Sequence, residues 1–211
     1  AESGTNNERY IYHEMEVTIN DDDTLWLYFG TGDMQKLETK PNTSNRIYGI
    51  KDKDFPNYKS ISTAGTISQC KTAPNCPGSN DLGWYINLKN SQKLTASPTI
   101  DNDLIHYTVY QPTTSSNSCD KGTGIKCKAD AKCGYKSTLG KECVTLGKGV
   151  LSKVVVHKGK IYMGISGEAK TSGTGYTSKD SLITGASTAT AKKSGGKIQL
   201  EGWREIYEQF D

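Results

Sequence analysis

The chain has 211 residues, 34% of them apolar, and its 26 basic and 23 acidic side chains leave a net charge of +3. Charges of both signs alternate along its length, which excludes the clustered basic stripe of a nucleic-acid-binding surface. No apolar run approaches the ~20 residues of a membrane helix, so this chain is expected to carry no membrane span. Twelve tyrosines and three tryptophans against three phenylalanines point to half-buried sheet faces whose aromatic rings keep a polar tip near water. The length suits a single all-β domain. It opens Ala1-Glu2-Ser3-Gly4, without an initiator Met or a signal-peptide core, as expected of a processed or trimmed product.

In chain order, residues 1–8 are polar and read as a flexible start to a single all-β domain over 9–211. Arg9 to Ile19 alternates as a strand, the polar run Asn20 to Asp23 turns the chain, and TLWLYFGTG follows as a second strand. Alternation puts Trp26 and Tyr28 on one face and Leu25, Leu27 and Phe29 on the other. Two apolar faces predict a strand covered on both sides. NRIYGIKD (Asn45 to Asp52) is a third strand, and an insert at about 54–81 follows, holding Pro56, Pro74, Pro77, Cys70 and Cys76. GWYINL (Gly83 to Leu88) completes a four-stranded, blade-like unit.

A second hairpin, TASPTI-DND-LIHYTVY, runs from Thr95 to Tyr110. The insert at about 113–146 that follows is polar and cysteine-rich, and reads as a disulfide-stapled loop. LSKVVV-HKG-KIYMGISG (Leu151 to Gly167) is the third hairpin. The tract 168–196 is dominated by Ser, Thr, Gly, Ala and Lys, and is expected to be a solvated excursion because it has little apolar surface to offset its ordering. Strand-like alternation returns from Gly195 to Phe210, with a short helix from Trp203 as the rival. Three hairpins of one design separated by irregular inserts predict antiparallel hairpins forming part of a β-propeller, about three blade-like units. Their core aromatics are Trp26, Tyr28, Phe29, Trp84, Tyr85, Tyr107, Tyr162 and Trp203.

The six cysteines fall into a pair, Cys70 and Cys76, and a cluster, Cys119, Cys127, Cys133 and Cys143. An even count in loop-like context predicts disulfides and an oxidising, extracytoplasmic location. Cys70 is expected to pair with Cys76, and the cluster to carry two further bonds in one of three connectivities. Zinc is the rival, but gaps of seven, five and nine residues within the cluster are wider than zinc knuckles use.

His13, His106 and His157 stand in no triad or metal spacing with a carboxylate, and no nucleophile elbow or zincin motif occurs, so no enzyme is predicted. Asp21, Asp22 and Asp23 are the one candidate cation site, and calcium is the ion whose chemistry they approach. They lack the D-x-D-x-D-G spacing and the later acid of a built loop, so a solvated turn is the plainer reading and no cofactor is expected. Asn42-Thr43-Ser44 satisfies a glycosylation sequon.

The order TLWLYFGTGD, RIYGIKD, GWYINL, QKLTASPTIDNDLIHYTVYQP, SKVVVHKGKIYMGISG and GWREIY resembles the C-terminal propeller portion of the PilY/PilC proteins, the tip adhesins and assembly factors of bacterial type IV pili. The resemblance spans about Glu14 to Tyr207, apart from the two cysteine inserts and the Ser/Thr tract. It implies the last part of a modified seven-bladed propeller in a larger secreted protein that attaches cells to surfaces and governs pilus extension and retraction under calcium control. The family's calcium loop has no counterpart here, so calcium control transfers to no residue. The implied function is a non-catalytic extracellular module of a bacterial pilus, exported through an oxidising periplasm, with another pilus chain covering its exposed blade faces. The alternative is the globular subunit of a pilus filament, paired with a separate short hydrophobic pilin helix.

Overall fold

A computed structural model describes residues 9–37, 44–52, 54–56, 67–69, 81–89, 91–113, 120–134 and 142–187. Within them the chain is all-β, and every strand pairing but one is antiparallel. The first sheet comprises β1 (Glu16–Ile19), β2 (Leu25–Gly30), β3 (Arg46–Asp52), β4 (Ile67–Gln69) and β5 (Gly83–Asn87), in the order β1-β2-β3-β5-β4. The exception is β4, which runs parallel to β5. The second sheet is built on β6 (Lys93–Leu94), β7 (Thr99–Asp101), β8 (Leu104–Gln111), β9 (Thr123–Asp130) and β10 (Glu142–Lys148). Both β6 and β7 pair with β8, as two halves of one edge. β11 (Val155–His157) and β12 (Lys160–Gly164) open the third sheet. Then β13 (Glu168–Ala169) returns to the edge of the second, beside β10. β14 (Tyr176–Lys179) and β15 (Leu182–Ala186) complete the third, in the order β11-β12-β15-β14.

The three repeated hairpins stand at β1–β2, β7–β8 and β11–β12, one in each sheet. Their turn chemistry explains them. Asn102 and Asp103 have φ of 46° and 62°, and Lys158 and Gly159 have 47° and 72°. Two successive left-handed residues give the turn whose twist matches a two-residue hairpin, and Asn, Asp and Gly are the residues that adopt it at least cost. The first turn is longer, with the Asn20 N–H donating to Thr24 O and the Asp23 N–H to Asn20 O, both at 3.0 Å.

The second sheet lies between the other two. Trp26, Tyr28, Ile47, Trp84 and Ile86 of the first sheet meet Ile105, Tyr107, Val109, Cys127 and Ala129 of the second in one apolar cluster. A second cluster joins Leu146 of β10 to Leu151, Val154, Ile161, Met163, Ile165 and Ile183 of the third sheet and its approach. Consequently β8 is buried along both faces, from Leu104 to Tyr110. The leading strands of the three hairpins converge: β7 lies against β1 on one side and β11 on the other. Thr99 Oγ1 donates to Val154 O at 2.6 Å, and Lys153 Nζ meets Glu16 Oε2 at 3.2 Å, tying the third sheet's entry to the first.

Three expectations need correction. The stretch 113–146 is not a stapled loop, since it supplies all of β9 and part of β10, two inner strands of the second sheet. Ile125, Cys127 and Ala129 point into the first cluster while the intervening lysines face the other way; a period of two in small residues suffices for a strand whose neighbours supply the bulk. The tract 168–196 is likewise not a solvated excursion up to Ala186, because β13, β14 and β15 lie in it. Thr side chains suit pleated pairing, and Thr177 and Thr184 face each other across β14 and β15 with their hydroxyls 2.9 Å apart. The first strand also starts later than its alternation suggested, at Glu16. All three sheets are open, with no closure between their edge strands among the described residues.

Candidate interaction surface

The outer face of the first sheet, turned away from the second, is built by strand registry. Val17, Leu27 and Ile50 form one row across β1, β2 and β3. Phe29, Tyr48 and Tyr85 form the next row across β2, β3 and β5. The Phe29 and Tyr48 rings stack at 5.0 Å, the Tyr48 and Tyr85 rings lie 6.0 Å apart, and the Arg46 guanidinium sits 4.1 Å above the Tyr85 ring. Each of these aromatic residues is only half-buried. The opposite face of the same strands, bearing Trp26, Tyr28, Ile47 and Trp84, is sealed by the second sheet.

The segment ahead of β1 adds further exposed apolar side chains. Ile11 is 54% exposed and Met15 53%, and Tyr10, Tyr12 and Val17 are exposed with them. The segment is nevertheless fixed: the Gly32 N–H donates to Tyr10 O at 2.9 Å, Arg9 Nε to Ser44 O at 2.8 Å, and Tyr12 Oη to Asp33 Oδ1 at 3.3 Å. Contiguous exposed apolar residues on ordered backbone mark an interaction surface more often than a lone exposed Leu does.

Trp26, Tyr28, Trp84 and Tyr107 are buried; Phe29, Tyr85 and Tyr162 are half-buried. Trp84 Nε1 donates to Ala131 O at 2.8 Å, bolting the first sheet to the turn after β9. Asp21, Asp22 and Asp23 occupy the first hairpin turn, with Asp21, Asp22 and Asp23 exposed and Asp23 left-handed at φ 56°. Among the described residues no group of three or more His, Cys, Asp or Glu is placed to hold a metal ion.

Cys127 and Cys143 form a disulfide between paired positions of β9 and β10, and Cys133 is also disulfide-bonded. Cys70, Cys76, Cys119 and Trp203 lie outside the described residues, as do Asn42 and Thr43 of the sequon and the terminal motif. The histidines do not converge. His13 has its Nε2 buried without a partner, and burial lowers its pKa; His157 is exposed at the third hairpin turn. His106 is fully buried with both ring nitrogens unpartnered, and burial, then Lys126 and Lys128, pushes its pKa down to about 3. Sequence reading saw no site at His106 and did not single out the two lysines, because each stands alone in its motif; their pairing across β8 and β9 appears only with the registry.

No helix among the described residues is long and apolar enough to cross a membrane. No protein-family model, curated protein or solved structure matches the chain.

Proposed function

We propose that the chain is a non-catalytic, extracellular module of a bacterial type IV pilus, the C-terminal part of a tip protein similar to the PilY/PilC adhesins and assembly factors. The observation that carries the reading is the outer face of the first sheet: two adjacent rows of apolar and aromatic side chains, ordered, and only half-covered. A sheet that ends a stack in this way needs a neighbour, as the end blade of an incomplete propeller does. Three further features agree with this reading. A hairpin of one design stands in each sheet, the first strands of these hairpins converge through β7, and the cysteines at positions 127, 133 and 143 are oxidised, as in exported proteins. On this reading the partner is another pilus chain, which lays an apolar surface over Val17, Leu27, Phe29 and Tyr48.

The test is the native mass of the assembly recovered from the surface of cells that carry it. A large companion chain, lost together with the assembly in Ile11→Glu/Met15→Glu, is the expected result. A companion of pilin-helix size would favour the filament-subunit alternative. A wild-type chain recovered alone, as a well-folded monomer, would refute the need for a partner.

A further inference from the structure

Between the second and third sheets, away from the apolar surface just described, lies a cleft of about 180 Å³ whose lining includes Lys126, Lys128, Glu142, Val144, Tyr176 and Ala186. Registry places the charges together: Lys128 stands opposite Glu142 on β10 and opposite His106 on β8, while Lys126 is the next same-face residue along β9. Lys128 Nζ and Glu142 Oε2 are 2.8 Å apart. Lys126 is different. It is 2% exposed, and the one contact its ammonium makes among the described residues is with the Tyr176 ring, 5.9 Å from the ring centroid.

A buried ammonium without a hydrogen-bonded counter-charge is costly, and a cation–π contact at that distance recovers little of the cost. Burial and the neighbouring Lys128 lower the Lys126 pKa to about 8, against the pull of Glu142, and the same two lysines help keep His106 neutral. Among the described residues Glu142 pairs with Lys128 and leaves Lys126 without an ion pair, in a partly enclosed space.

We propose that this cleft binds a small organic carboxylate, its oxygens between Lys126 and Lys128 and its carbon atoms against Tyr176, Val144 and Ala186. Size and charge select that class. Pockets that enclose drug-sized ligands run to roughly 300–1,000 Å³, so this one takes an anionic group with a few attached carbons. Lys126, whose ammonium has no hydrogen-bonded counter-charge among the described residues, supplies one positive charge to neutralise, which matches a monoanion better than a phosphate dianion. The carboxylate could belong to a free acid or to the end of a larger chain.

The test uses the whole oxidised chain and acetate as probe, with chloride at equal ionic strength and acetamide as the neutral isostere. Amide and lysine Nζ resonances are followed by NMR alongside the thermal midpoint. Expected are saturable shifts at Lys126, Lys128 and Tyr176 with acetate alone, and a midpoint that rises with acetate concentration. Lys126→Met should fold with an equal or higher midpoint and lose at least tenfold in acetate affinity. Lys153→Met, which removes an ammonium outside the cleft, should keep it. Short peptides ending in a free carboxylate, compared with free sugar acids, then separate the two sources. Identical responses to acetate and chloride, non-saturable shifts, or a Lys126→Met protein that still binds acetate overturns the proposal. So does a marked fall in the Lys126→Met midpoint without acetate, which would make Lys126 a structural residue.

Discussion

Replacing Gly49 by Ala tests the joint between the first two sheets, because Gly49 is the gap that lets two large aromatic side chains meet. Gly49 is paired with Tyr28 on β2 and with Trp84 on β5, and the two rings lean together above it with centroids 6.2 Å apart. A Cβ at Gly49 would stand 2.5 Å from Cε2 and 2.7 Å from Nε1 of Trp84. The indole cannot retreat. Its far side is closed by Gly134, where a Cβ would lie 2.7 Å from Cε3, and its N–H is held by Ala131 O at 2.8 Å. Forcing a methyl group into such a site costs about 1–3 kcal/mol. Truncating a buried Trp costs about 3–5 kcal/mol, a large part of a domain's ~5–15 kcal/mol of stability.

The two changes should not add. In a Trp84→Ala background the added methyl group meets space, so Gly49→Ala should become neutral or slightly stabilising, since Gly weakens a strand by about 0.5–1 kcal/mol relative to Ala. The four proteins of the cycle, unfolded in urea and followed by far-UV circular dichroism, should give a coupling energy of about 1–3 kcal/mol. Where Trp84→Ala leaves too little folded protein to measure, Trp84→Phe serves, with a smaller coupling of the same sign. Equal costs for Gly49→Ala in both backgrounds would show that the glycine is there for its backbone, and that the contact with Trp84 does not constrain it.

Removing the Cys127–Cys143 bridge, a sequence separation of 16, by Cys127→Ser/Cys143→Ser should cost about 2–4 kcal/mol, seen as a lower urea midpoint than the oxidised wild type; an unchanged midpoint would refute it. His106 has a folded pKa of about 3, below its unfolded value. The unfolded chain therefore takes up the proton first, and stability present above about pH 6.5 is lost as the pH falls toward about 3. Wild type should lose roughly 2–3 kcal/mol more than His106→Leu between pH 7 and pH 4.5, and parallel pH profiles would contradict this. Asp103→Gly should stabilise by about 0.5–1 kcal/mol, because it relieves a left-handed Asp at φ 62° in a turn that favours Asn-Gly; a lower thermal midpoint would count against that reading.

The hairpins were legible because each combines strand alternation with a turn whose residues tolerate positive φ, as Asn102-Asp103 and Lys158-Gly159 do. Trp26, Tyr28 and Trp84 stood out as core because large aromatics at alternate positions have few other uses. What escaped was β9, where Lys126 and Lys128 gave GIKCKAD the look of a loop. The period of two was present in Ile125, Cys127 and Ala129, but small residues carry little hydrophobic weight, and the bulk that completes their layer comes from Trp84 and Tyr28. The outer aromatic row was partly visible: Leu25, Leu27 and Phe29 predicted a second apolar face, while the alignment of Phe29 with Tyr48 and Tyr85 depends on registry that no single strand encodes. The cleft was invisible for the same reason, since its residues come from β9, β10 and the β14–β15 hairpin.

The two apolar clusters occupy successive stretches of chain, the first within residues 26–131 and the second within 144–183. A polypeptide that is exported unfolded emerges N-terminus first, so the first cluster can close while the third sheet has still to follow. During that interval the second sheet waits with one face uncovered, and that face carries His106, Lys126 and Lys128. A basic, hydrated face is a poor template for association, whereas the apolar face it backs onto is already hidden. The lysines that burden the finished protein thus act as solubilising groups for the half-made one, and the order of burial is written into the order of residues.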